Sequence, residues 1–408
     1  MHRSRWSRNV LLAVSLLVLG SATSHPGASV AGEAATPAAE PAPPPAPPLD
    51  LARMSFDESE GRYVAPLGGD RATLTLDPRL QRRLERFLAS YAVPYGAVVL
   101  MEPETGRVLA LAEHSREEPG QRGLVVRAFA PAASIFKIVT AAALVERGVL
   151  PEEEVCYHGG RHRLQPRLLA DDPRRDHRCA TLADAFGRST NVVFAKLAGR
   201  GLGAGDLGAL ASRFLFNARL PFASPVEVSR AEIPEDEFGL ASTAAGFGPV
   251  RLSPLHGALI ASVVANRGVL VPPVVVEPGA GAASAGEPVR VVDEDVGEIL
   301  ADMMRRTVTE GTARRAFRGL PRSMRGVEVA GKTGSLAERE PYRDYSWFVG
   351  YAPADRPRVA VAAVVSNGRL WRVRAPTVAR EALEAYFSAV VADAGERRAG
   401  DVALAGAR

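Results

Sequence analysis

Cysteine is nearly absent from this chain: Cys156 and Cys179 are the only two in 408 residues. Neither stands near the N-terminal apolar run, which excludes lipid attachment there. Charge of one sign is lacking too. A formal charge of +4 is small for this length, so no committed polyanion partner is implied, and no nucleic-acid motif is present. The apolar run from Val10 to Leu19 falls short of the ~20 residues a membrane span needs. No signalling module precedes Val10, and no internal repeat is visible. What remains is ordinary: 47% hydrophobic and 24% charged residues are ample for a globular core.

The run after Arg3, Arg5 and Arg8 reads as an export signal over residues 1–31, with Ser29-Val30-Ala31 as a small-x-small cleavage site. A short uncleaved anchor is the alternative. Residues 32–60, rich in Ala and Pro, read as a stiff extended linker at ~3.1 Å per residue. A folded domain is expected over 61–394, then a flexible tail over 395–408. Export puts Cys156 and Cys179 in an oxidising compartment, where a disulfide is the expected pairing. Zinc is the alternative, through Cys156-Tyr-His158, His177-Arg-Cys179 and His162, although the one-residue spacing is tighter than zinc sites use. The arginine-rich stretch Arg161 to Arg178 reads as a solvated loop, because Asp171, Asp172 and Asp176 interleave it.

Along the folded part, Asp77-Pro78 caps a helix whose face carries Leu80, Leu84, Phe87 and Leu88. Two apolar runs, Ala97 to Met101 and Val108 to Ala112, flank Glu102-Pro-Glu-Thr-Gly106 and predict a hairpin. A buried helix follows, to Arg147 and Gly148. Helical patterns fill about 150–325, including one that opens at Ser253-Pro254. Strands return at Val327 to Ser335, Tyr345 to Ala352 and Arg358 to Ser366, and a last helix runs from Thr377 to Ala392. This order predicts an α+β fold: an antiparallel sheet flanked by helices, with an inserted all-helical subdomain.

Three short motifs carry chemistry. Ser134-Ile-Phe-Lys137 sets a nucleophile and a base one helical turn apart, in a helix apolar enough to bury the lysine. Burial and the helix N-terminus both disfavour the ammonium, so Lys137 is placed to take the serine proton. Ser189-Thr-Asn191 supplies a hydroxyl and an amide on a helix junction or in the short loop before a helix. Lys332-Thr333-Gly334-Ser335 ends a strand, with Thr333 and Ser335 on one face and Lys332 leaving from the other. Gly334 lets a ligand approach the backbone, and the two hydroxyls with the ammonium suit a carboxylate. The backbone N–H groups of Ser134 and Ser335 are the expected oxyanion donors. Taken singly, each motif is an N-cap, a snorkelling lysine or a Gly-rich strand end. It is their order that points to serine acyl transfer.

The trio resembles the signature of penicillin-binding proteins and class A β-lactamases. Ala72 to Gln81, Gly96 to Gly106, Ser253-Pro254 to Pro273, Gly311-Thr-Ala313 and Trp347-Phe-Val-Gly-Tyr-Ala-Pro353 resemble penicillin-binding transpeptidase domains, over about residues 70–390. The resemblance implies that Ser134 attacks a D-Ala-D-Ala stem peptide, with Lys137 as base and Ser189 as proton relay. Asn191 would position substrate, while Lys332, Thr333, Gly334 and Ser335 receive the terminal carboxylate. It implies no metal or organic cofactor. The partners implied are stem peptides, β-lactams and, as an open question, cell-wall polymerase machinery. Ser335 stands where the family more often has threonine. The short stretch before residue 70 implies a stand-alone catalytic domain without a glycosyltransferase. The other acceptor is water, giving a D,D-carboxypeptidase or a β-lactamase; a β-lactam sensor is the non-enzymatic alternative. Class D β-lactamases share the pattern of Pro131 to Lys137 but usually carry an aliphatic residue where Asn191 stands.

Overall fold

Alternation with a period of two organises the centre of the molecule. The central strands are largely apolar or small, and their odd and even positions bury on opposite faces. This computed structural model describes residues 48–160, 163–279 and 286–406, with side chains as far as residue 392. The export-signal segment and most of the expected linker lie outside them. Among the described residues no helix is long and apolar enough to cross a membrane.

A small antiparallel sheet opens the described chain, with β1 (Ser55–Asp57), β2 (Arg62–Leu67) and β3 (Asp70–Thr73). It starts earlier than the expected boundary at residue 61. Leu49, wholly buried, donates its N–H to the Ala223 carbonyl at 2.9 Å. The apolar pair Leu49 and Leu51 ends the spacer, because it has a core to enter. Helix α1 (Pro78–Ser90) follows, capped by the Asp77 carboxylate on the N–H groups of Arg79 and Leu80.

The main sheet takes the predicted hairpin, β4 (Tyr95–Met101) and β5 (Val108–Ser115). After β6 (Ala130–Pro131) the chain makes a single 3₁₀ turn, Ala133–Phe136, and enters α2 (Lys137–Glu146). The insertion then runs through β7 (Glu154–Tyr157), β8 (Arg178–Thr181), α3 (Leu182–Arg188), α4 (Asn191–Gly201), α5 (Ala204–Arg213) and α6 (Glu237–Ala244). It continues with β9 (Arg251–Leu252), α7 (Pro254–Ala265), β10 (Val269–Leu270), β11 (Val289–Arg290) and α8 (Glu294–Thr309). The insertion is thus mainly helical rather than all-helical. Its short strands pair as β6 with β9, β7 with β8 and β10 with β11, too short to leave a periodic trace in sequence.

Three long strands complete the sheet: β12 (Ala330–Arg339), β13 (Tyr342–Ala352) and β14 (Val359–Asn367). The order is β12-β13-β14-β4-β5, antiparallel throughout. Helix α9 (Ala375–Gly406) closes the fold and continues past the predicted end at Ala392. Trp347, Val349, Tyr351, Ala360, Ala362 and Val364 face one core with α2 and α7. Phe348, Ala352, Val359, Val361, Ala363 and Val365 face the other, with α1 and α9. Each large side chain here contributes ~1.5–3 kcal/mol by leaving water. Every residue of α7 is buried, and a Cβ on its Gly257 would stand 3.3 Å from Ala362 and Val349. That glycine seats the helix on the sheet. Strand β12 pairs with β13 alone, so its other edge is open, and the 3₁₀ turn that carries Ser134 packs beside it.

Candidate active site

The nucleophile stands in a strained turn. Ala133 has φ +49°, a left-handed conformation unfavourable for any residue with a Cβ, immediately before Ser134. Trp347 fixes this segment by donating its indole N–H to the Pro131 carbonyl at 2.9 Å. Gly246, at φ +89°, closes on it from α6; a Cβ there would lie 2.6 Å from the Ala133 carbonyl oxygen and 2.9 Å from the Ser134 nitrogen. Only glycine fits.

Lys137 opens α2 and is wholly buried. Its Nζ lies 2.9 Å from Ser134 Oγ and 2.7 Å from Asn191 Oδ1, and it also donates to the Ala245 carbonyl. All three partners are neutral. Burial, and then the Lys332 charge, push the amine well below the usual lysine range. A neutral amine keeps two N–H groups, which the Asn191 and Ala245 oxygens accept, and its lone pair is left for the Ser134 O–H. The geometry thus provides a serine with a base in contact and the base held in orientation.

Ser189 ends α3 in the left-handed region at φ +55°, and Asn191 is the first residue of α4. The second motif therefore lies at the junction of two helices, one of the two placements the sequence suggested. Lys332 is wholly buried, and its Nζ donates to Ser189 Oγ at 3.0 Å and to the Thr333 carbonyl at 2.9 Å. Burial lowers its amine to about 7. Phe194 lies 5.4 Å from the Lys137 amine and Phe186 lies 5.5 Å from that of Lys332, so each amine faces an aromatic ring.

The remaining expected residues line the same cleft, about 1050 Å³ in volume, with Ser134, Ser189 and Asn191 on one side and Thr333 and Ser335 on the other. Gly334 is where β12 touches the nucleophile turn: a Cβ would meet the Ala132 carbonyl at 3.2 Å and the Ile135 side chain at 3.2 Å. Its smallness serves packing against the turn. Cys156 and Cys179 are joined in a disulfide across β7 and β8, which leaves neither thiol for a metal.

Sequence reasoning missed several members. Thr312 Oγ1 lies 2.5 Å from Thr333 Oγ1. It is held there because Gly311 packs on α3, where a Cβ would strike the Gly187 carbonyl at 2.0 Å. The Gly311-Thr-Ala313 triplet was visible, but its role was not. Arg188 and Arg315 also line the cleft and have no hydrogen-bond or ion-pair partner among the described residues. No sequence pattern marks them.

Over residues 96–384 the chain matches the family model of the penicillin-binding protein transpeptidase domain. It belongs to that family. This transpeptidase domain is 28% identical over 321 residues to the peptidoglycan D,D-transpeptidase PbpA of Mycolicibacterium smegmatis, covering 67% of this chain and 62% of that relative. It thus spans under two thirds of that relative's length. Penicillin-binding protein A of M. tuberculosis, solved as an imipenem acyl-enzyme complex, superposes with a TM-score of 0.62 at 26% identity, covering 79% of this chain and 80% of that one. Pseudomonas aeruginosa PBP2 superposes with a TM-score of 0.65 at 25% identity, covering 81% and 82%.

Proposed function

We propose that this chain is a peptidoglycan D,D-transpeptidase that works through a Ser134 acyl-enzyme, outside the cytoplasm. The observation that carries the reading is the Ser134–Lys137 contact at 2.9 Å, with Asn191 and Ala245 holding the amine. In this mechanism Ser134 Oγ bonds to the carbonyl carbon of the penultimate D-alanine and its proton passes to Lys137 Nζ. The Ser134 and Ser335 backbone N–H groups hold the oxyanion, an arrangement typically worth ~10²–10³ in rate per donor. The peptide C–N bond then breaks. Ser189, hydrogen-bonded to Lys332, relays a proton to the departing amine, and D-alanine leaves. An amine from a second stem peptide attacks the ester and restores Ser134. No electrons are exchanged, and no cofactor is required.

The substrate backbone would add to the open edge of β12, a common mode of holding extended peptides. Thr333, Thr312 and Ser335 would receive its terminal carboxylate, with Lys332 behind them. β-Lactams would acylate Ser134 by the same route. The test is intact-protein mass spectrometry with benzylpenicillin, with Ser134→Ala as control. A lasting adduct on the wild type alone is expected. Rapid loss of the adduct with penicillin consumed would mean a β-lactamase, and no adduct would overturn the mechanism.

A further inference from the structure

The loop between β7 and β8 builds a second cavity, of about 560 Å³, whose lining among the described residues includes Arg163, Arg167, Arg174, Arg175, His158 and His177 and no carboxylate. In the sequence Asp171, Asp172 and Asp176 interleave these arginines. In the structure they are engaged elsewhere. Asp176 and Asp171 bond to the buried Lys196, Asp171 also bonds to Arg200, and Asp176 takes the Nδ1 of His158. Asp172 caps the turn by accepting the Arg174 backbone N–H at 3.1 Å. The side chains of all four arginines have no hydrogen-bond or ion-pair partner among the described residues.

The cavity is braced. The Cys156–Cys179 disulfide ties its two strands together, and Lys196 accounts for three bonds beneath it. The wall adjoins the catalytic helix: a Cβ on Gly160 would stand 2.5 Å from Val192, the residue after Asn191. Four guanidinium groups around one cavity repel one another, and an anion relieves that repulsion. Guanidinium forks pair with carboxylate and phosphate alike, and with four cations at one cavity the more highly charged phosphate gains the most.

We propose that this cavity is an anion site for a phosphate or pyrophosphate group, separate from the Ser134 cleft and independent of acyl transfer. The test titrates sodium pyrophosphate into the full chain by calorimetry. Saturable binding is expected, weakened at least about tenfold in Arg174→Ala/Arg175→Ala, which removes two of the four forks. Arg322→Ala/Arg325→Ala removes the same charge at another exposed pair and should bind as the wild type does. Benzylpenicillin acylation should be unchanged in both variants, which shows that the fold is intact. A parallel arm sediments the protein with phosphatidylcholine vesicles that contain phosphatidic acid. Sedimentation lost in Arg174→Ala/Arg175→Ala assigns a lipid headgroup as the source. Pyrophosphate binding without variant-dependent sedimentation assigns a soluble phosphate. No saturable binding at millimolar pyrophosphate, or equal weakening in both double variants, overturns the proposal.

Discussion

Lys137 and Lys196 are both lysines in apolar helical segments, both essentially buried, and they differ in what surrounds the amine. Lys196 meets two carboxylates, Asp176 at 2.7 Å and Asp171 at 3.0 Å, and a backbone carbonyl at 3.0 Å. Lys137 meets a hydroxyl, an amide oxygen and a carbonyl, none of them charged, with a second lysine nearby. The same side chain at the same depth is therefore a balanced cation in one place and a suppressed cation in the other. Burial alone does not make a base; burial without a counter-ion does.

Exchange of each lysine for methionine should separate the two roles. Lys137→Met removes the acceptor of the Ser134 proton, and acylation by benzylpenicillin should slow by ~10²–10⁴-fold, the usual worth of a general base. Its melting temperature should stay level or rise, because an apolar chain of similar volume replaces an amine that no charge compensates. Stopped-flow acylation and calorimetry on one preparation check both halves. Lys196→Met should do the reverse. It leaves the buried Asp176 carboxylate with His158 and the Asp172 backbone N–H, and a broken buried pair typically costs ~3–5 kcal/mol. The acylation rate of the protein that remains folded should match the wild type. A slow Lys196→Met enzyme of unchanged stability would erase the distinction.

How much of this was legible in sequence follows from range. Asp77-Pro78, the hairpin flanking Glu102 to Gly106 and the long strands β13 and β14 were readable because their signals are local: a cap, a turn and a period of two. The Ser134–Lys137 pair was readable for the same reason, since three residues along a helical turn fix the contact. The Ala245 carbonyl, Gly246 behind the nucleophile and Thr312 beside Thr333 reach the site from distant segments, and nothing in their own neighbourhoods points to it. Lys332 shows the limit most clearly. Strand alternation gave the face its side chain leaves from, yet its amine reaches Ser189, 143 residues away in the chain. The early start of the fold was hidden by the proline-rich composition around Leu49.

Lys332 lies between the two extremes and sharpens the comparison. Like Lys137 it is buried without a carboxylate, but its amine titrates at about 7, so near neutral pH it is part ammonium. If the ammonium draws a substrate carboxylate, the second-order acylation constant, which reports the free enzyme, should fall as pH rises through about 7. The loss should approach tenfold per pH unit, about 1.4 kcal/mol. A penicillin methyl ester, which lacks the carboxylate, should show no such limb. Stability should move in the opposite direction. The folded value of about 7 lies below the ordinary 10.5, so the unfolded chain binds more protons across that window, and the Lys332 contribution to stability grows as pH climbs through it. A falling limb shared by the acid and its ester would assign the titration to Ser134 activation instead, and Lys332 would then belong beside Lys137 as part of the proton path.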